Sequence, residues 1–533
     1  MAMEIEEPPF DARKAWTVST VVVLGIFMSM LDSTVTTVAL PTIMNVFGVS
    51  MTSIQWLTTA YTLSMAVVVP LGPYLSRVFG AEQVFLVSLI IFTCGSFLCG
   101  FSQSLDVLIL FRIVQALGGG IMMPIGMGIV MQLFPPSRRG LALGVFGVAM
   151  MSAPAFGPTI GGYIVDSLGW RYVFYVNVPI GIAAVLLGFV FFEFTKRQPF
   201  PRFDIAGFIS SAIGSGFLLY LLGKADSIDW TNPTYVYIAI VGIGALVFFI
   251  VNEIFHDAPL LDLRLLRNRN YSLSLILVTV QQLMMMSVMY TTPIFLQNFR
   301  GLTAMQSGEV MLVPSLVMAV LMPVAGRITD IVGEKGTKWV VAAGVVISGA
   351  MTLILSTKMT LDASITDIVL YNSLRNIGMG ISMMPVMTLG LFSIPMKDSQ
   401  NATALQRFIQ QFASSMSTAI VTYMVTSRFN ANYAGATAQL TPFNLPFMSQ
   451  VNAIASQLAQ AGMSLADATQ QAMTAIVTQL YEQNYVLAIQ FTIFLTAIIG
   501  IGALVLVPIF KIDKIPAAET NQAAQTNQVA QTS

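Results

Sequence analysis

Charge is what this chain lacks most. Only 9% of its 533 residues are Asp, Glu, Lys or Arg, against about 25% in a soluble globular protein. Acids and bases balance at 25 each, so no net field draws a nucleic acid or an acidic partner. Histidine occurs once, at His256 in a charged loop, and cysteine twice, at Cys94 and Cys99. The cysteines share one apolar run at a spacing of about 140° around a helix, so they neither bridge each other nor offer a metal-ligand pattern. Without a His, Cys or paired-carboxylate constellation, the expectation is no metal, no cofactor and no enzymatic chemistry. The first sixteen residues hold Glu4, Glu6 and Glu7 and lack the apolar core and cleavage site of a signal peptide, so the first span is expected to be retained.

What is abundant is apolar sequence: 56% hydrophobic residues and a mean hydropathy of +0.77. A helix needs about 20 apolar residues to cross a bilayer, and about fourteen runs of that length lie between residues 17 and 510. The class is an all-α polytopic membrane protein. Lys and Arg sort by side: Arg13, Lys14, Arg77, Arg138, Arg139, Arg264, Arg267, Arg327 and Lys335 fall on one face and only Arg171, Arg300, Lys358 and Arg428 in loops of the other. The positive-inside rule then puts both termini in the cytoplasm.

An internal repeat is legible. Pro70-Leu-Gly-Pro73-Tyr-Leu-Ser-Arg77-Val-Phe-Gly80 recurs as Pro323-Val-Ala-Gly326-Arg-Ile-Thr-Asp330-Ile-Val-Gly333, and Met122-Met123-Pro124 as Met383-Met384-Pro385. Repeated halves around a central site are a transporter architecture. The division is a cytoplasmic N-terminus at 1–16, a six-helix half at 17–194, two inserted helices at 205–255, a second six-helix half at 271–510, and a disordered, Ala/Gln/Thr-rich cytoplasmic tail at 511–533. The outer loop at 427–484 is the longest. Met448, Val451, Ile454, Ala455 and Leu458 fall at helical spacing there, and 466–480 repeats the pattern, which predicts one or two amphipathic helices outside the membrane, either a self-packed cap or a docking surface.

Asp32 is the one acid deep inside an apolar run, and an intramembrane acid is costly enough to imply a function. Arg112 lies at a similar depth, within the reach of a guanidinium, so the two are expected to pair directly, through Gln115 or through water. That contact would keep Asp32 ionised; losing it as the halves rock would let Asp32 take a proton. A permanent structural ion pair is the alternative. Gly157 and Gly161 lie one turn apart, and with Pro154, Pro158 and Gly162 they read as tight packing or as a hinge or seal between the halves. Arg375 reads as the counterpart of Arg112 in the second half, where Met284–Met285 stand for Asp32. Its partner is Glu309 or an anionic group of the substrate. Pocket candidates are Thr34, Gln115, Gln281, Gln282, Met285, Tyr290, Asn372, Arg375, Gln410 and Gln411, with Trp56 and Tyr61 able to stack on flat ligands. The 33 methionines suit irregular apolar compounds.

The segments Leu31-Asp32-x-Thr34-x-x-x-Val38-Ala39-Leu40-Pro41, Gly157-Pro158-x-x-Gly161-Gly162 and Trp170-Arg171-x-x-Phe174-x-x-Asn177-x-Pro179-x-Gly181 resemble motifs of the major facilitator superfamily. With about fourteen spans they are similar to its fourteen-span drug:proton antiporters of the EmrB/QacA type, closer to EmrB by the long outer loop. The resemblance implies a major facilitator fold, proton-gradient-driven multidrug export by alternating access across the bacterial cytoplasmic membrane, and a periplasmic adaptor as partner. It also implies that Gly326, Asp330 and Gly333, with Lys335, form an intact conformational loop, which the first half degrades to Pro73 and Arg77. So few deep acids favour a neutral, zwitterionic or monocationic substrate over a dicationic one. A dedicated metabolite or lipid exporter of the same fold, or a non-transporting sensor or scaffold, is the alternative.

Overall fold

In a computed structural model the described residues are 11–49, 51–135, 138–193, 203–223, 228–229, 231–256, 259–395, 398–438, 440–441 and 443–510. The 511–533 tail and most of the 1–16 terminus lie outside them. Among the described residues there are helices and no strands. In order they are α1 Ala12–Phe47, α2 Met51–Val68, α3 Leu71–Phe79, α4 Ala81–Phe101, α5 Leu105–Leu133, α6 Arg139–Ser167, α7 Tyr172–Tyr175, α8 Asn177–Phe191, α9 Ile205–Gly223, α10 Pro233–Phe255, α11 Arg269–Asn298, α12 Ala304–Lys358, α13 Ile365–Phe392, α14 Ser399–Thr437, α15 Leu445–Gln460 and α16 Leu465–Gly502.

Ten helical stretches are long and apolar enough to cross a bilayer, and α2 with α3, bent by 53° at Val69–Pro70, makes an eleventh. Helix α6, α13 and α14 are also of membrane length, at 29, 28 and 39 residues. In α13 and α14 buried amides and arginines dilute the apolar surface. With these three, the long helical stretches among the described residues number fourteen, as many as the apolar runs of the sequence. Helix α12 supplies two of them, broken at Gly333, whose φ of 63° and ψ of −172° only glycine tolerates at low cost.

Glycines set the matching packing of the two halves. A Cβ on Gly118 would strike the Ser88 carbonyl and the Phe92 amide; one on Gly378 would strike the Gly344 carbonyl and the Ser348 amide. Helix α4 thus lies on α5 as the second part of α12 lies on α13, backbone against backbone.

The halves meet at one face, here the latch face. Asp330 accepts hydrogen bonds from the Gly140 and Leu141 amides at 2.8 and 2.9 Å, capping the N-terminus of α6 from the opposite half, where the helix dipole favours a carboxylate. The Gly140 and Gly326 backbones lie so close that a Cβ on either would fall on the other's carbonyl. Deeper, Gly144 meets Pro323 and Gly147 meets Met322 and Met384. Gln132 touches Ser399 at 3.5 Å, and Thr403 donates to the Pro124 carbonyl at 3.3 Å.

Toward the opposite face, α9 lies against α2 and α14 and so touches both halves. Trp56 stacks on Tyr220 of α9 at 5.8 Å and 19°. That face also carries the long loop as a helical hairpin. At 1.5 Å per residue α14 runs about 58 Å, well beyond a hydrocarbon core of about 30 Å. Val451 and Ala455 of α15 pack against Ala468 and Ala472 of α16, the self-packed cap of the sequence reading, although its second helix is continuous with the last span. Phe429, Tyr433, Tyr481, Tyr485 and Phe299 form an aromatic cluster at its base, with centroids 5.0–6.0 Å apart in the contacts that join α14, α16 and the end of α11.

Candidate functional site

Asp32 of α1 sits in a cage of donors contributed by two elements, α5 and α8. Its Oδ2 accepts from Arg112 Nη1 of α5 at 2.5 Å, and its Oδ1 from Gln115 Nε2 at 3.0 Å and Asn177 Nδ2 of α8 at 2.8 Å. Arg112 also donates to Gln115 Oε1 at 2.7 Å. Asn177 donates to Ser96 Oγ of α4 at 3.0 Å, and Ser96 to the Phe174 carbonyl at 2.9 Å. The Arg112 guanidinium stacks on Tyr61, 4.1 Å from the ring centroid, with Phe174 at 5.4 Å. Asp32 and Arg112 are each 1% exposed. Local sequence makes the cage possible: Gly95 is bare where the Gln115 backbone crosses it, so α4 and α5 approach closely enough for Gln115 to reach across. Asn177 and Ser96 complete the site without having been singled out as partners, and Tyr61 lies under a guanidinium instead of facing a ligand.

Removing one partner of such a buried pair strands the other. Arg112→Gln is expected to lower stability by about 3–5 kcal/mol. Adding Asp32→Asn to it should recover most of that loss, because two amides can hydrogen-bond where one charge cannot be left alone. Denaturation of the purified single and double variants in detergent reads both effects, and a double variant no more stable than Arg112→Gln would contradict the cage as drawn.

Thr34 lends its hydroxyl to the Met30 and Leu31 carbonyls at 3.1 and 3.0 Å and rests against Gly157. Gly161 lies against Val35 and Val38 of α1. These glycines therefore pack α6 onto its own half, and the glycine contacts with the other half are made about three to six turns earlier on the same helix. A Cβ at Gly162 would meet open space. Pro154 and Pro158 lie in the same helix, and their side chains are outside the described ones.

In the second half the glycine contacts pair Gly378 with Gly118. Counting back along both helices puts Asn372 at the place of Arg112 and Arg375 at the place of Gln115, one turn deeper than a mirror of Arg112. Arg375 Nη2 donates to the Met284 carbonyl at 3.1 Å, and Nη1 to Asn376 Oδ1 at 2.7 Å and Asn372 Oδ1 at 3.3 Å. All three acceptors are neutral. Glu309 is exposed and is not its partner: among the described residues the ion pairs are Asp32–Arg112 and Lys14–Glu193. Gln281 donates to Ser382 at 2.8 Å. Gln282, Met285 and Gln411 are half-buried, and Gln410 is buried. Tyr290 lines a cavity of about 310 Å³ between α2, α9, α11 and α14, with Thr58, Thr62, Ser415 and Thr418 as further hydroxyls and Leu219 and Leu222 from α9. That volume suits a small drug-sized ligand, and among the described residues no charged one lines it.

A sequence model of the Major Facilitator Superfamily matches residues 22–418. The chain is 36% identical over 424 residues to YhcA, an MFS-type transporter of Bacillus subtilis (strain 168), covering 80% of this chain and 79% of that one. It is 28% identical over 488 residues to the multidrug export protein EmrB of Escherichia coli (strain K12), covering 91% and 93%. The solved proton:xylose symporter XylE superposes with a TM-score of 0.59 at 14% identity, covering 94% of this chain and 96% of that one.

Proposed function

The chain belongs to the major facilitator superfamily, a transporter and not an enzyme, and from that premise we propose that it exports amphipathic or lipophilic compounds from a bacterial cytoplasm in exchange for protons. The observation that carries this reading is the caged Asp32: a lone intramembrane carboxylate of α1 whose donors come from α5 and α8 of the same half. With the latch face closed, Arg112, Gln115 and Asn177 all donate to Asp32. A proton arriving from the opposite side neutralises it and weakens the hold of Arg112, and the halves rock until the latch face opens. Release of that proton to the cytoplasm restores the cage. The latch face is the cytoplasmic one, since the excess of Lys and Arg in short loops lies there, and both termini are cytoplasmic. Conformational control falls to Asp330, Gly326 and Gly333 at the latch. The similarity to EmrB supports drug-like substrates, and the uncharged cavity beside Tyr290 suits their apolar bodies.

Purified protein in liposomes tests the exchange: adding a transported drug to the neutral side of a pH gradient should release protons there. No dependence of any substrate's transport on the gradient would favour a sensor or scaffold. The hairpin of α15 and α16 leaves Phe443 and Leu445 exposed at the start of α15 and Leu465 exposed beside the turn between its helices, at 93%, 81% and 70%, which fits an adaptor protein in the periplasm. Deleting about 440–480 should abolish capture of such an adaptor while leaving transport in liposomes within about twofold. Unchanged capture removes the adaptor from the proposal.

A further inference from the structure

Arg407 is half-buried, and it lies on the seam. Thr403, Gln406, Arg407 and Gln410 fall at helical spacing on one stripe of α14, and Thr403 and Arg407 meet the first half. Thr403 reaches Pro124 of α5, and Arg407 Nη2 reaches the Met150 thioether of α6 at 3.0 Å. The only oxygen that Arg407 meets among the described contacts is Gln410 Oε1, at 2.9 Å. Its Nε is buried without a partner, and so are both amide atoms of the fully buried Gln406. Gln410 Nε2 is turned onto the Met387 thioether at 3.7 Å. The stripe is therefore rich in donors that meet soft sulfur or nothing, around a guanidinium that does not deprotonate.

A half-buried cation in that condition is poorly satisfied by neutral partners, and a carboxylate would supply the two oxygens that its fork geometry fits. The Nε of Arg112 and of Arg375 is likewise buried without a partner, but Asp32 neutralises Arg112, and Arg375 holds three oxygens inside its own half. Arg407 alone of the three meets the opposite half. The thioether that covers it belongs to α6, the helix that must leave α12 and α14 when the latch opens.

We propose that the α14 stripe centred on Arg407 binds the acidic group of the exported compound, so that the substrate class includes amphipathic monocarboxylates whose apolar body lies against Met150 and Met387. This deepens the export reading and rests on it. The site is loaded with the latch face open, when α6 withdraws Met150 and the guanidinium meets the cytoplasm. Closure then puts the thioethers around the ligand.

The test is equilibrium binding to the purified full chain in lipid nanodiscs, with radiolabelled 2-naphthoate displaced by unlabelled 2-naphthoate, 2-naphthamide or 2-naphthylmethylamine. The carboxylate should bind at least tenfold more tightly than the amide or the amine. Arg407→Gln should erase that preference, weakening the carboxylate tenfold or more and the amide less than twofold. Arg407→Lys should keep part of it, and Arg375→Gln should leave it intact. Equal affinity for the three probes in the wild type, or an equal loss for all three in Arg407→Gln, would overturn the assignment. Should Arg407→Gln fail to fold, Gln406→Leu serves in its place: a severalfold loss confined to the carboxylate supports the site, and no selective loss overturns it. Asp32→Asn should bind with the same preference, so a failure of proton coupling and a failure of anion recognition remain distinguishable.

Discussion

Asp32→Asn should leave a folded, membrane-inserted protein that no longer converts a pH gradient into a substrate gradient. Asparagine keeps an oxygen for Arg112 and so preserves much of the cage, while removing the group that could take up a proton. For the wild type in liposomes with a lumen one pH unit more acidic, exchange of one proton per substrate can sustain about a tenfold accumulation in the lumen, since each tenfold step costs about 1.4 kcal/mol. The sign follows from the exchange: protons leave the acidic lumen as substrate enters it. In the variant the accumulation should fall to onefold, with substrate merely equilibrating. Asp32→Glu should retain part of the coupling, because a carboxyl remains, though displaced by one methylene. A variant Asp32→Asn that still builds the gradient would leave the carboxyl with a structural role only, and the proton would have to bind elsewhere.

The coupling pair was legible because two unusual residues sat at matching depths in two apolar runs, and depth along a helix is simple arithmetic at 1.5 Å per residue. Which side of the helix each residue faces was harder. Asn177 and Ser96 enter the cage from α8 and α4, and nothing in their own neighbourhoods distinguishes them from amides and hydroxyls that cap or pack. The same limit misplaced the glycines of α6. That helix uses Gly140, Gly144 and Gly147 against the other half and Gly157 and Gly161 against α1, so a small-residue motif marks close approach without naming the partner. Arg375 was assigned by a Met-Met-Pro match, whereas the Gly118 and Gly378 contacts set the register and move it by one turn. Arg407 went unnoticed because it stands near the start of its apolar run, where a charge reads as a flank. Only the fold puts that position on the seam between halves. The long helices, by contrast, follow from run length alone, and the helical hairpin from its apolar spacing.

Replacing Gly326 with valine should drive the latch face open. A Cβ at this position lands on the Gly140 carbonyl, and backbone cannot rotate aside as a side chain can, so α12 and α6 must separate. Overpacking of this kind costs about 1–3 kcal/mol, and the separation also costs Asp330 its two amide hydrogen bonds at the start of α6. Together these should shift the balance between conformers by roughly ten- to a hundredfold, since every 1.4 kcal/mol is a factor of ten. Cysteines in place of Gln132 and Ser399, whose side chains meet at 3.5 Å across the seam, report the shift once Cys94 and Cys99 are replaced by serine. Cross-linking with a short bifunctional reagent should be efficient in the Gly326 parent and fall by at least tenfold in Gly326→Val. Asp330→Ala removes the cap without adding bulk and should produce a smaller change in the same direction; Asp330→Asn, which keeps one acceptor, should change less again. Gly326→Val should also bind 2-naphthoate at least as tightly as the parent while transporting it poorly, because a conformer held open toward the cytoplasm exposes Arg407 but cannot complete the cycle. Unchanged cross-linking in Gly326→Val would mean that the close backbone contact between α6 and α12 does not control access from the latch face.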